Sequence, residues 1–218
     1  MYKVKPSEEC EMIEDMPLKA LVLNASLKHK GKEISNTEEL AQLVLDNMKP
    51  HKVESEIIRL ADLRIPVGLD YKESDDDEWP SIVAKIKAAD IVIFATPIWW
   101  GGRSSLMQRI IERLDSLDEE YSASGRSALL NKVAGICITG SEDGAQAVQG
   151  AIMEVLTWMN FTLPPECCAY WVGEVGQPPA KDREKRLANE ATKHMAHNLA
   201  RNLVYYAQLL KKHPMVMK

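Results

Sequence analysis

The chain has 218 residues, of which 45% are hydrophobic and 27% are charged, and its formal net charge is -5 at pH 7. A chain of this length and composition buries a full hydrophobic core without the help of disulfides or metals. The acidic balance argues against nucleic acid as the main partner, because nucleic-acid binding needs a concentrated basic surface.

The compartment is predicted from what the sequence lacks. No apolar run is long enough to span a membrane, and the first residues lack the hydrophobic segment of a signal peptide. The four cysteines, Cys10, Cys137, Cys167 and Cys168, form no CxxC pair, which favours reduced thiols over a metal or redox centre. We therefore expect a cytoplasmic protein without a membrane partner.

The chain begins with an acidic segment, residues 1–17, which we interpret as a surface arm or mobile tail. The remaining residues, 18–218, are expected to form one domain. Lys19 to Asn24 reads as a first buried strand, because its centre is a short apolar run.

The loop after this strand, Asn24 to Thr37, leads into a helix that continues to Met48. It is rich in small and hydroxyl residues and carries several lysines. Free N–H groups and the positive dipole end at a helix start favour a phosphate. The alternative is an ordinary N-capped helix, with Ser35 or Asn36 as the cap.

Glu54 to Leu60 reads as the second strand, and Ser81 to Ala89 as the next helix. Between them lies the acidic run Asp75-Asp76-Asp77-Glu78. Carboxylates before a helix with proline in its first turn are explained by the helix dipole, so we favour this interpretation over a metal site.

The third strand and the loop after it are the most informative stretch. Ile91 to Ala95 is an apolar run, which we expect to stop at Thr96-Pro97, and Trp99-Trp100-Gly101-Gly102 follows. A helix then starts near Ser104 or Ser105. Aromatic rings and glycines beyond a strand end suit a flat polar heterocycle. Otherwise the tryptophans are core or dimer-contact residues.

Asp118 to Leu130 is a polar connector, and Asn131 to Thr139 reads as the fourth strand. The loop Thr139 to Gln146 contains two glycines, and a helix from Ala145 to Asn160 follows, in which we expect Trp158 to serve packing. Cys168 to Gly173 reads as the fifth strand, and Arg183 to Lys212 as one long covering helix.

These elements predict an α/β fold with a parallel five-stranded sheet, helices on both faces and right-handed crossovers. If the strands take the doubly wound order 2-1-3-4-5, the loops after the first, third and fourth strands meet at the switch point, where ligands bind.

The three loops resemble those of the flavodoxin-like NAD(P)H-dependent FMN reductase and quinone reductase superfamily. The first is similar to Gly-Ser-x-(Arg/Lys)…(Ser/Asn)-x-Thr, although Ala25 replaces the glycine and the interval is long. The second is similar to Thr-Pro-x-(Tyr/Trp)-x-Gly and the third to Thr-Gly-x-x-x-Gly-x-Gln. The resemblance extends from Leu18 to Gly173 and implies bound FMN. It assigns the FMN phosphate to Ser26, Lys28, Ser35, Asn36 and Thr37, and the flavin ring to Pro97, Ile98, Trp99, Trp100, Gly101, Gly102, Thr139, Gly140, Asp143 and Gly144.

The function implied by the resemblance is transfer of a hydride from NADPH or NADH through FMN to a small electron acceptor, such as a quinone, a flavin, or a nitro or azo compound. No catalytic side chain is needed, because the flavin carries the chemistry. Relatives often complete the site across an interface, so a homodimer or homotetramer is expected. The alternatives are a flavodoxin-type electron-transfer protein without NAD(P)H turnover and an interaction domain without flavin.

Overall fold

The computed structural model describes residues 17–31, 34–141 and 143–216. Five strands form a parallel sheet, and their order is that predicted from the sequence. Together with one short antiparallel strand, the strands of the described residues are β1 (Lys19–Asn24), β2 (Glu54–Arg59), β3 (Ile91–Trp99), β4 (Gly102–Arg103), β5 (Val133–Gly140) and β6 (Cys168–Val172). The sheet order is β2-β1-β3-β5-β6, and the short β4 adds an antiparallel partner to the end of β3. The predicted flavodoxin-like architecture is confirmed.

Helices cover both faces of this sheet. They are α1 (Asn36–Met48), α2 (Trp79–Ala88), α3 (Ser105–Leu114), α4 (Asp118–Ser124), α5 (Ala145–Trp158), α6 (Pro179–Ala188) and α7 (Glu190–Lys212). Alternate strand residues point to opposite faces. Ile91 and Ile93 thus belong to the core under α1 and α7, whereas Val92 and Phe94 belong to the core under α2, α3 and α5.

The prediction that the third strand stops at Thr96-Pro97 was wrong. β3 continues through Pro97 to Trp99, and Pro97 pairs with Thr139 of β5. The last β1 partner of β3 is Ala95, so Pro97 lies beyond the end of β1 and faces a ladder on one side only. A proline is tolerated at such an edge position.

The long covering helix predicted from Arg183 to Lys212 is two helices. Asn189 has an extended backbone, with φ of -77° and ψ of 112°, and separates α6 from α7. Its side chain accepts a hydrogen bond from the Thr192 N–H at 2.8 Å and so caps α7. A capping asparagine inside an amphipathic pattern thus ended one helix and began another.

The polar connector predicted from Asp118 to Leu130 begins with the short helix α4. One further expectation was wrong. Trp158 does not pack inside the molecule: it is 83% exposed and lines a surface groove with Tyr121 and Leu129. The N-terminal arm, apart from Pro17, lies outside the described residues. In the part of the chain that the structure describes, no helix has the length and apolarity of a membrane span.

Candidate functional site

A cleft of about 220 Å³ lies where β1, β3 and β5 end. All three loops singled out in the sequence contribute to its walls. Its lining residues are Ser26, Lys28, Asn36, Thr37, Pro97, Ile98, Trp99, Thr139, Gly140 and Ser141. The parallel order of the sheet brings these residues together, because the carboxyl ends of β1, β3 and β5 are neighbours at one edge.

The loop after β1 is shaped by its own side chains. Asn24 Oδ1 accepts a hydrogen bond from the Ser26 N–H at 3.0 Å, and Ser26 Oγ accepts one from the Lys28 N–H at 3.3 Å. Such turns are typical of asparagine and serine. Lys28 Nζ then donates to the Ile34 carbonyl at 3.1 Å, so the lysine spans the loop.

The first turn of α1 forms the next part of the wall. Ser35 caps the helix, because its Oγ accepts a hydrogen bond from the Glu38 N–H at 3.1 Å. Thr37 Oγ1 lies 2.7 Å from Thr139 Oγ1, so a buried hydroxyl pair joins the start of α1 to the end of β5. Neutral donors and a helix start therefore face one end of the cleft.

The second loop is a tight hairpin between β3 and β4. Trp99 pairs with Gly102, which leaves Trp100 and Gly101 as a two-residue turn with φ values of 49° and 74°. Positive φ at both central positions is the geometry of a type I′ turn, which is unusual for tryptophan. Trp99 lines the cleft and is 51% exposed, whereas Trp100 is 89% exposed and does not line it.

Buried hydroxyls attach this hairpin to the first loop. Ser104 caps α3 through the Met107 N–H, and its Oγ donates to the Ala25 carbonyl at 2.8 Å. The Ser104 N–H donates in turn to Thr96 Oγ1 at 3.1 Å. The start of α3 is therefore tied to β3 and to the loop after β1, and Ser104 is the cap of the two serines that the sequence offered.

The third loop contacts the hairpin through glycine. Gly144 has φ of +127°, and a Cβ built on it would lie 2.9 Å from the Gly101 Cα. Only a residue without a side chain permits this approach of two backbones. The contact fixes the hairpin relative to the start of α5.

Several predicted site residues lie beside the cleft without lining it. Ser35 is buried as the α1 cap, Gly101 and Gly102 belong to the hairpin, and Gly144 precedes α5. Asp143 is exposed. Ser141 lines the cleft but was not selected from the sequence, although its place in the Thr139 to Gln146 loop was a signal for it.

The charge and polarity of the cleft suit an anionic ligand with a flat ring. Among the lining residues Lys28 carries a charge, and Ser26, Thr37, Thr139 and Ser141 offer hydroxyls. Trp99 offers a partly exposed ring face at the other wall. The buried thiol of Cys137 is no candidate nucleophile, because desolvation raises its pKa to about 12.

The chain is similar in sequence and in structure to known proteins. Residues 18–174 match the family described as NADPH-dependent FMN reductase. The chain is 32% identical over 208 residues to a protein of Streptomyces davaonensis named 8-demethyl-8-aminoriboflavin-5'-phosphate synthase, covering 91% of this chain and 80% of that relative. A structure of RosB with bound 8-demethyl-8-formylriboflavin-5'-phosphate is 31% identical and has a TM-score of 0.81, covering 91% of this chain and 82% of that chain.

A third match concerns a longer protein. The chain is 32% identical over 204 residues to a protein of Mycobacterium bovis named divalent metal cation transporter MntH, covering 89% of this chain. This chain spans only 29% of that protein's length.

Proposed function

The chain belongs to the NADPH-dependent FMN reductase family, and on that premise we propose that it binds FMN in the cleft and passes a hydride from NADPH or NADH to a small electron acceptor. The observation that carries the proposal is the convergence of all three candidate loops on one cleft. Membership of the family makes the chain a flavin oxidoreductase. We propose in addition the hydride donor, the electron acceptor and the residues that bind FMN.

The residues around the first turn of α1 fit a phosphate. Ser26 and Thr37 supply hydroxyls, Lys28 supplies positive charge, and the helix start supplies backbone N–H groups. These are the groups that bind phosphate at helix N-termini. We assign the 5'-phosphate of FMN to this end of the cleft.

The hairpin and the loop after β5 fit the flavin ring. Trp99 offers an aromatic face, and Ile98 and Gly140, which carry no polar side chain, also line the cleft. When bound, FMN supplies the hydride-transfer chemistry, so the protein provides orientation and hydrogen-bond donors rather than a nucleophile.

A second candidate function follows from the relatives. One is named as a synthase of an amino derivative of riboflavin phosphate, and a similar structure holds the corresponding formyl compound. In this alternative the cleft holds a flavin phosphate as the substrate that is changed. Both functions need the same phosphate end of the cleft, and they differ in whether FMN leaves the protein unaltered.

The deciding experiment is incubation with FMN, gel filtration, and anaerobic addition of NADPH or NADH. The reductase proposal expects flavin absorbance that co-elutes with the protein, bleaches on addition of nucleotide and returns with a quinone or another acceptor. Mass spectrometry of the released flavin then shows unaltered FMN. A changed flavin mass after a parallel aerobic incubation with an amine donor supports the second candidate, because exchange of a ring methyl for an amino group needs a nitrogen source and an oxidant. Co-elution without bleaching supports a flavodoxin-type electron carrier.

A pair of tryptophan variants locates the ring. Trp99→Ala removes the aromatic face that lines the cleft, whereas Trp158→Ala removes an equally large exposed ring from a different groove. We expect the first variant to weaken FMN binding and the second to leave it unchanged in a fluorescence titration. Equal affinities in both variants would contradict the assigned ring position.

The proposal also covers the compartment and the oligomeric state of the protein. We propose a cytoplasmic homodimer or homotetramer whose second substrate is a small molecule, with residues 18–218 forming one domain. Light scattering at micromolar concentration gives the mass of the assembly, and a monomer would contradict this part.

A further inference from the structure

α6 reaches back to the start of α1 through one buried carboxylate. Asp182 Oδ2 accepts a hydrogen bond from Asn36 Nδ2 at 3.0 Å, and Asp182 Oδ1 accepts one from Trp171 Nε1 at 3.0 Å. Asp182 itself is buried. Its carboxylate therefore joins three elements, α1, β6 and α6, next to the phosphate end of the cleft.

Arg186, one turn later on α6, completes the contact. Its guanidinium donates to Glu39 Oε2 at 2.6 Å and to Asn36 Oδ1 at 3.3 Å, and only 2% of the residue is exposed. Burial raises the pKa of Glu39, but hydrogen bonds from Arg186 and Arg183 outweigh it and hold the pKa below its ordinary value. Glu39 is thus a stable anionic partner for Arg186 near neutral pH.

Both ends of the Asn36 amide are therefore bound to α6: its nitrogen donates to Asp182 and its oxygen accepts from Arg186. The amide nitrogen and oxygen of Asn36 therefore form hydrogen bonds within the protein and are not directed at a ligand. Asn36 is the first residue of α1, so its position sets the direction of the backbone N–H groups in the first turn.

We propose that Asp182 and Arg186 are positioning residues, which hold the first turn of α1 in the orientation that binds the 5'-phosphate. Asn36 acts in this arrangement through its backbone position and not as a side-chain ligand. The inference rests on the proposed function, because it assumes that a flavin phosphate binds at this turn. α6 lies beyond the residues that match the family, so this support is built by the part of the chain after residue 174.

The test compares two ligands that differ only in the phosphate. FMN and riboflavin are titrated against wild type, Asp182→Ala and the control Lys185→Ala. Lys185 lies on the same helix and its ammonium pairs with Glu174 at the surface. We expect the ratio of FMN affinity to riboflavin affinity to fall about tenfold in Asp182→Ala, while riboflavin affinity and the Lys185→Ala ratio stay at the wild-type values.

A milder variant keeps the test valid if Asp182→Ala does not fold. Trp171→Phe retains the ring but removes the N–H that donates to Asp182, and Trp171 does not line the cleft. We expect the affinity ratio to fall about threefold. A ratio within twofold of wild type in a folded variant would overturn the proposal.

A double-mutant cycle separates positioning from direct contact. If Asn36 acts through Asp182, then Asn36→Ala changes the ratio in wild type but adds nothing in the Asp182→Ala background. An equal further loss in that background would make Asn36 a side-chain ligand and overturn the inference. Wild-type protein that binds no FMN, or that binds riboflavin equally well, would instead refute the proposed function and the inference with it.

Discussion

Two regions of this molecule bury polar groups in different ways. At the cleft where β1, β3 and β5 end, the buried polar groups are neutral hydroxyls, such as the Thr37 and Thr139 pair. The Arg113 cluster, which comprises Arg113, Asp77, Trp79 and Ser116, is built around an ion pair whose two side chains are 0% exposed.

In the Arg113 cluster the charge of the buried guanidinium is neutralised by groups of the protein itself. The guanidinium donates to the Asp77 carboxylate at 2.8 Å and to the carbonyls of Pro66 and Asp70, and it lies 5.6 Å from the centre of the Trp79 ring. These contacts join α3 to the segment that precedes α2, and they satisfy the guanidinium within the protein. The cleft leaves room, and its hydroxyls retain further hydrogen-bonding capacity. The comparison shows that the buried ion pair of the Arg113 cluster serves stability, whereas the hydroxyls of the cleft are placed to serve binding.

The largest effect is expected for Arg113→Met. It leaves the Asp77 carboxylate buried without its partner, which costs about 3–5 kcal/mol of the free energy of unfolding. Arg109→Met is the matched control, because Arg109 lies on the same helix and donates to the Ile65 carbonyl in a less buried setting. Urea denaturation measures both, and FMN affinity of the folded Arg113→Met protein should equal that of wild type. Weakened flavin binding in that variant would break the separation between the two regions.

The next effect is expected for Gly144→Ala at the cleft. The added Cβ lies 2.9 Å from the Gly101 Cα and the residue must keep φ of +127°, so the hairpin or the loop has to move. We expect about tenfold weaker FMN binding by fluorescence titration. Gly125→Ala also introduces a side chain at positive φ, with no atom within 4 Å of its Cβ, and should leave FMN affinity unchanged. Equal losses in both variants would point to general strain.

A smaller effect is expected for Thr37→Val. The substitution keeps the shape of the side chain but removes the hydroxyl that pairs with Thr139, so FMN affinity should fall about fivefold, or about 1 kcal/mol. Thr157→Val is the control, since Thr157 Oγ1 donates to the Glu154 carbonyl on an exposed part of α5. Isothermal titration with FMN measures both variants. An unchanged affinity in Thr37→Val would move the phosphate away from the start of α1.

The smallest effect is expected in the pH dependence of the free energy of unfolding. Burial raises the pKa of Asp77, but N–H groups of Glu73 and Trp79 and the Arg113 guanidinium lower it, so it lies below its ordinary value. A carboxylate whose pKa is lower in the folded state contributes stability above its unfolded pKa, and this contribution is lost as the pH falls through the folded pKa.

The free energy of unfolding should therefore decline below about pH 4. Asp77→Asn should be less stable at neutral pH but show a flatter decline, as measured by denaturation between about pH 7 and pH 3. Parallel pH curves for the two proteins would show that Asp77 does not titrate in this range.

The fold followed from local patterns. Apolar runs marked β1, β2, β3, β5 and β6, and Ser35 and Ser104 marked the starts of α1 and α3. The strand order was predicted from the resemblance to the flavodoxin-like family, and it is correct. The errors concern continuity: Pro97 did not end β3, and Asn189 divided a helix that the apolar pattern had joined. Pairing with β5 extended β3 past Pro97, and the side chain of Asn189 capped α7. The apolar pattern of the sequence contains neither of these interactions.

The sequence by itself determined which stretches become strands, which loops follow them and therefore which edge of the sheet carries the candidate site, because hydrophobic periodicity and helix capping act over a few residues. Only the tertiary structure decided which polar groups meet. Thr37 and Thr139 are 102 residues apart, Asn36 and Asp182 are 146 apart, and Arg113 and Asp77 are 36 apart. The sheet order and the direction of the returning helices bring these groups together, and the buried ones among them need a hydrogen-bond partner there because water is excluded.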